Sequence, residues 1–215
     1  MVPSMREAGA WLALWNGFDA ARDAEYNDWH AIEHVPERLT VPGMLRASRY
    51  RALDDAVLPY FTLYEMASIE VLASAEYLAL LNAPTEWTRR MRPAFGELLR
   101  IPCHVLESAG GVRGAALMSL EIRGAEVLPQ DLVQLRAAPG VDAVHVGHED
   151  TAVAPLPWHG AAQPPGLPSA RQLLLVEAQS LADLDALAGA LPSGIAALEP
   201  VARRHRLLTL HHAAR

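Results

Sequence analysis

Apolar and polar positions alternate along this chain in two rhythms. Period-two alternation, or short apolar runs between turn signals, predicts strands at 10–18, 44–52, 59–67 and 101–107. Helical spacing lies between them at 20–35, 71–81 and 85–99, the last interrupted by Pro93. Pro42-Gly43 marks a turn, and Gly110-Gly111 ends the run. The remainder follows the same course. It predicts strands at 115–123, 142–149, 172–179 and 201–211, with helices at 129–138 and 182–191. Pro139-Gly140 repeats the turn, and a Pro-rich loop fills 155–169.

Set side by side, these are two β-α-β-β-α-β units, spanning 1–110 and 111–215. Each is an α+β, ferredoxin-like unit whose helices cover one sheet face. Two such units in tandem can pack their bare faces together as an intramolecular α/β barrel around a cavity. Alternation sorts the side chains into faces. Phe61 and Leu63 oppose Tyr60, Thr62 and Tyr64; Ile101, Cys103 and Val105 oppose His104; Leu45 and Ala47 oppose Arg46, Ser48 and Tyr50. The apolar sets suit the helix-covered side, and the Tyr, Arg and His set suits the cavity. Cys103 is then an inert core thiol.

Composition narrows the chemistry. The 215 residues carry a net charge of −7, with no basic stripe to suit nucleic acid or an anionic membrane. All 18 basic residues are arginine, so lysine Schiff bases and phosphate-binding lysines are excluded. A single cysteine excludes an internal disulfide and a cysteine-rich zinc site. No apolar stretch approaches the ~20 residues of a membrane span, and the N-terminus is no signal peptide, so a cytoplasmic protein is expected. The aromatics are lopsided: of five Trp, five Tyr and three Phe, only Trp158 lies beyond Gly110. The first unit is therefore expected to carry the pocket.

The densest polar constellation is Asn27-Asp28-Trp29-His30-Ala31-Ile32-Glu33-His34. At helical spacing Tyr26, Asn27, His30, Glu33 and His34 share one arc, with His30 and His34 a turn apart. One reading is the solvated face of an amphipathic helix. A second is acid–base chemistry, with His34 as base or acid, Glu33 orienting it, and His30 and Asn27 holding a carbonyl or hydroxyl. A third is a metal hydrolase, because His30-Ala31-Ile32-Glu33-His34 has the H-x-x-E-H form. Its third ligand is unassigned, with Glu65 and His104 as candidates, and no metal is expected. The segment 85–92 has no counterpart in the second half, so Trp87 and Arg90 are candidates for a pocket lid. With Arg46, Tyr50, Tyr60, Tyr64 and His104 they complete the expected ligand-binding set. His145, His148 and His159 read as loop or strand positions, and His211-His212 as a frayed end.

The pattern W-H-x-x-E-H-x-x-E-R, then P-G, then R-x-x-R-Y, is carried by Trp29, His30, Glu33, His34, Glu37, Arg38, Pro42, Gly43, Arg46, Arg49 and Tyr50. It resembles EthD-like bacterial proteins of the dimeric α/β-barrel superfamily over the first half; the second half is similar in layout only. The superfamily includes cofactor-free monooxygenases, muconolactone isomerases and haem enzymes such as chlorite dismutases. The resemblance implies a small apolar or aromatic ligand, transformed by histidine acid–base chemistry without a cofactor. A haem protein would need an axial histidine facing the cavity, for which His104 and His205 are available. A non-catalytic ligand-binding or interaction module is the rival expectation. The tandem arrangement removes the need to dimerise, though a homodimer stays compatible.

Overall fold

The computed structural model describes residues 8–53, 55–110, 113–154 and 171–214. The expected Pro-rich loop, Trp158 and His159 lie outside the described residues. The first unit runs β1 (Ala10–Phe18), α1 (Asp23–Trp29), a π turn (His30–His34), α2 (Val35–Arg38), β2 (Met44–Ala52), β3 (Tyr60–Met66), α3 (Ala75–Asn82), α4 (Glu86–Met91) and β4 (Phe95–Gly110). The second runs β5 (Ala116–Arg123), α5 (Pro129–Ala137), β6 (Val141–Glu149), β7 (Arg171–Ala178), α6 (Leu181–Ala188), α7 (Ser193–Ala196) and β8 (Val201–His212).

The eight strands close a barrel in the order β1-β3-β2-β8-β5-β7-β6-β4. Within it each unit keeps the ferredoxin order, β4-β1-β3-β2 and β8-β5-β7-β6. The units join where β2 pairs with β8 and β4 with β6, both antiparallel. The fold is thus α+β, two ferredoxin-like units closed sheet to sheet. Among the described residues no helix is long and apolar enough to cross a membrane.

Two local predictions are corrected. The helix expected through Leu99 stops early, and β4 starts at Phe95, opposite Phe18. Gly17 and Gly96 meet there: a Cβ on Gly96 would lie 3.5 Å from the Gly17 backbone. His211 and His212 are not frayed but paired with Ala47 and Arg46 on β2.

The barrel faces are the reverse of the expectation for β3 and β4. Phe61, Leu63, Ile101 and Cys103 point inward and pack with Trp11, Trp15, Tyr50, Leu117, Leu173 and Leu175 into one buried cluster. Tyr64 instead packs beneath the helices with Val35, Leu39 and Tyr77, and Tyr60 with Tyr26, Trp29 and Met91. An eight-stranded barrel can be filled by side chains or hold one small ligand, and here it is filled. Trp15 stacks on Phe61 at 4.4 Å between centroids and fills it. Cys103 is buried as expected, but inside the barrel.

Charge closes one part of this interior. Arg113 donates to Glu65 (2.6 Å) and Glu177 (2.8 Å), and Arg46 makes a bidentate pair with Glu65. Glu177 also accepts from the Gly114 backbone N–H at 2.6 Å. These groups come from both units, so the cluster ties the halves together.

Candidate functional site

The space that the barrel lacks is found outside it, between the first unit's sheet and its helices. One cleft is lined by Leu14, Tyr26, Trp29, His30, His34 and Tyr64, with Thr62, Arg38 and Arg92 among its polar groups. Its cavity volume is about 40 Å³, at the floor of a wider depression that opens to solvent. A second cleft continues from it through His34, Arg38, Leu14 and Tyr64 toward Tyr77 and Leu81.

The two histidines owe their positions to a backbone irregularity. His30–His34 is a π turn, in which the Val35 N–H donates to the His30 carbonyl five residues back. Pro36 follows directly. It has no N–H to give, and its ring crowds the carbonyl four residues earlier, so a wider turn upstream relieves the contact. Such single π turns recur at functional sites. A turn that closes on the fifth residue brings residues four apart closer to superposition than an α turn does. The imidazoles of His30 and His34 lie 5.1 Å apart, and His34 packs against Trp29 at 4.4 Å with the ring planes tilted by 30°.

Both rings are desolvated. The Nδ1 atoms of His30 and His34 are buried and have no hydrogen-bond partner among the described residues. Burial holds both imidazoles well below their usual pKa, and positive neighbours add to it: Arg49 and His34 beside His30, Arg38 and Arg49 beside His34. Both are neutral at pH 7. The hydroxyls of Tyr64 and Thr62 in the same lining are also buried without a partner among the described residues. Burial raises the Tyr64 pKa, and pushes that of Tyr26 to about 12, so both phenols stay protonated. A pocket of apolar walls with a few unpaired polar atoms is the common form of a small-molecule site.

Glu33 does not contact His34. Its carboxylate accepts from the Thr85 hydroxyl at 2.6 Å and the Thr88 hydroxyl at 3.3 Å, and Thr85 caps α4 by accepting from the Thr88 N–H. Glu33 therefore latches the π turn to α4, and the expected orienting role is replaced by a structural one. Trp29 joins the latch by donating its indole N–H to Thr88 at 3.3 Å.

The other predicted residues are dispersed. Asn27 is held by Asp23, Tyr60 and Arg49, to one side of the cleft lining. Tyr60 donates to Asp23 and packs under Arg49 and Arg51. Arg46 and Tyr50 lie in the barrel interior, remote in facing from His30 and His34. Trp87 donates to Glu25 at 3.3 Å and packs against the cluster of Tyr26, Trp29, Tyr60 and Met91, while Arg90 is exposed. His104 is about half exposed and pairs with Asp150 at 3.1 Å. Of the predicted set, His30, His34 and Tyr64 line the cleft together. Sequence reading missed Arg38, Thr62 and Arg92 there; Arg38 had been visible within the E-R pair after Pro36.

The histidines weighed for haem do not suit it. His104 is outside the barrel, and His205 is packed 5.0 Å from the Phe61 ring with its Nε2 against the Ser119 hydroxyl. The third metal ligands weighed for the H-x-x-E-H reading are also elsewhere. Glu65 is bound to two arginines inside the barrel, and His104 is on the outside. Among the described residues no group of three or more His, Cys, Asp or Glu is placed to hold a metal ion.

No family model matches this chain, and no curated protein matches it. Solved structures do. An anthrone oxidase-like protein superposes with a TM-score of 0.63 at 13% identity, covering 99% of this chain and 97% of its own. A haem-binding protein from Thermus thermophilus gives 0.55 at 10% identity, covering 94% and 92%. A protein of Fusobacterium nucleatum assigned as a monooxygenase gives 0.53 at 10% identity, covering 95% of each chain. At these identities the likeness establishes the fold, a ferredoxin-like α/β barrel spanning nearly the whole chain, and the chemistry must be argued from the cleft itself.

Proposed function

We propose that this chain binds a small, largely apolar aromatic molecule in the cleft beneath its first-unit helices. There His34 takes a proton from it, with His30 beside it. Residues 1–110 carry the site, and 111–215 close the barrel that supports it. The observation behind this reading is the pair of neutral, buried imidazoles with unpartnered Nδ1 atoms on a π turn lining an apolar cleft. A neutral imidazole can accept a proton at pH 7 without first losing one. An isolated imidazolium is costly in this place, but an anion formed beside it makes the pair neutral. Arg38 and Arg92 in the lining favour that anion further. Isomerisation, cyclisation and oxygenation of an activated aromatic ketone all begin with such a step.

Anthrone is a suitable probe, because its methylene is acidified by the ketone across the ring, and it relates to the named activity of one structural neighbour. Incubated without oxygen in D₂O, wild-type protein should speed deuterium uptake at the methylene, read by NMR. His34→Ala should lower that rate at least tenfold while anthrone binding persists. Uptake no faster than in buffer would leave a binding module without proton chemistry, and equal rates for wild type and His34→Ala would remove His34 from the role.

A further inference from the structure

Beside the cleft lies a guanidinium whose charge has no carboxylate partner among the described residues. Arg49 is 2% exposed. Its Nη1 donates to Asn27 Oδ1 at 2.8 Å, and its plane lies 4.7 Å from the Tyr26 and Tyr60 ring centres. Its Nε and Nη2 are buried and have no partner among the described residues. The nearest acid in this network, Asp23, is held by Arg51, Tyr60 and Asn27. Asp23 acts on Arg49 only through space, and a buried charge without a carboxylate in contact destabilises a fold, so it calls for a reason beyond packing.

Its surroundings supply one. Arg49 sits on β2 directly between Thr62 of β3 and Thr209 of β8. Both hydroxyls are buried without partners among the described residues, as is Nε2 of His211, whose neighbour across the ladder is Ala47. His30 packs against Tyr26, which carries Arg49 on its ring, and His30 and Thr62 also line the cleft. The Arg49 N–H groups and the Thr62 and Thr209 hydroxyls thus sit side by side across β3, β2 and β8, behind the cleft lining to which Tyr26, His30 and Thr62 belong. Every one can donate a hydrogen bond, and none brings a compensating negative charge. A planar guanidinium edge with two free donors matches a carboxylate.

We infer that Arg49, with Thr62 and Thr209, is the binding site for a carboxylate borne by the aromatic ligand, so that the natural ligand is an aromatic acid rather than a neutral arene. The inference rests on the cleft being the ligand site and adds the ligand's charge.

The test compares 2-naphthoate with 2-naphthamide, which differ in charge and hardly in shape, by calorimetric titration at pH 7.5. Wild-type protein should bind naphthoate at least tenfold more tightly. Arg49→Met should bring naphthoate down to the naphthamide level, leave naphthamide unchanged, and leave the Tm unchanged or higher, because a purely structural arginine would lower it on removal. Should Arg49→Met fail to fold, Thr62→Val and Thr209→Val should each weaken naphthoate severalfold and naphthamide not at all. Equal affinity of wild type for the two probes would mean that Arg49 holds internal water only. A preference surviving in Arg49→Met would mean that another arginine reads the charge. Either result overturns the carboxylate site and leaves the cleft reading intact, whereas binding of neither probe overturns both.

Discussion

Acidifying the protein from pH 7 to pH 5 should destabilise it through His30 and His34. Both imidazoles are held neutral by burial and by the arginines around them. In the unfolded chain each titrates near pH 6.5. Above that pH neither state is charged, and the histidines make no difference. Below it the unfolded chain binds protons that the fold refuses, so stability falls with pH until the folded rings protonate. For each ring that stays neutral down to pH 5, the loss is about 2 kcal/mol, or about 4 kcal/mol for the pair. Carboxylates held low, such as Asp23 and Asp55, contribute only below about pH 4, and Glu37, raised by burial, acts in the opposite sense. Urea unfolding at the two pH values, on wild type and on His30→Gln/His34→Gln, separates these contributions. Wild type should lose more than the double variant between pH 7 and pH 5, by up to about 4 kcal/mol when both rings stay neutral throughout. If both lose the same amount, the rings titrate freely in the fold and the desolvated-cleft argument is wrong.

The Glu33 latch and the barrel ion cluster can be tested by stability as well. Glu33→Ala gives up two hydroxyl donors and should cost about 1–2 kcal/mol, a Tm fall of roughly 2–8 °C, with coupling to Thr85→Ala of about 1 kcal/mol in a double-mutant cycle. Additive effects would mean that the Thr85 contact contributes nothing. Arg113→Met strands Glu177 inside the barrel and should cost about 3–5 kcal/mol in denaturant unfolding, while adding Glu177→Gln should recover part of it.

Alternation and turn chemistry made every strand but β4 readable to within about two residues. Pro42-Gly43 and Pro139-Gly140 mark equivalent turns, and β2 runs over the expected 44–52. Period two defines two faces but not which of them meets the helices. Tyr60, Thr62 and Tyr64 read as a wet cavity face, yet the two tyrosine rings are large enough to pack under helices, while the barrel took Trp11, Trp15 and Phe61. The start of β4 was missed because Phe95–Leu99 shows no alternation; its pairing with β1 is set across the chain. The histidine pair was visible from spacing alone. The π turn beneath it was not, since it depends on one bond to a carbonyl five residues back. Arg49 is visible in the R-x-x-R-Y pattern, but its place beside the cleft is not, because it falls in the set opposite Arg46 and Tyr50, on the face that alternation assigns to plain core.

The joins of β2 to β8 and β4 to β6 leave none of the eight strands with an open edge. Among the described residues another chain therefore finds no open strand edge to extend. Because both halves belong to one polypeptide, each meets the other at an effective concentration on the order of millimolar, whatever the bulk dilution. Assembly of the support beneath the cleft is thus independent of protein concentration. Two identical halves would have carried two equivalent clefts; joined and unlike, they place the aromatic-lined cleft of Tyr26, Trp29 and Tyr64 in the first unit.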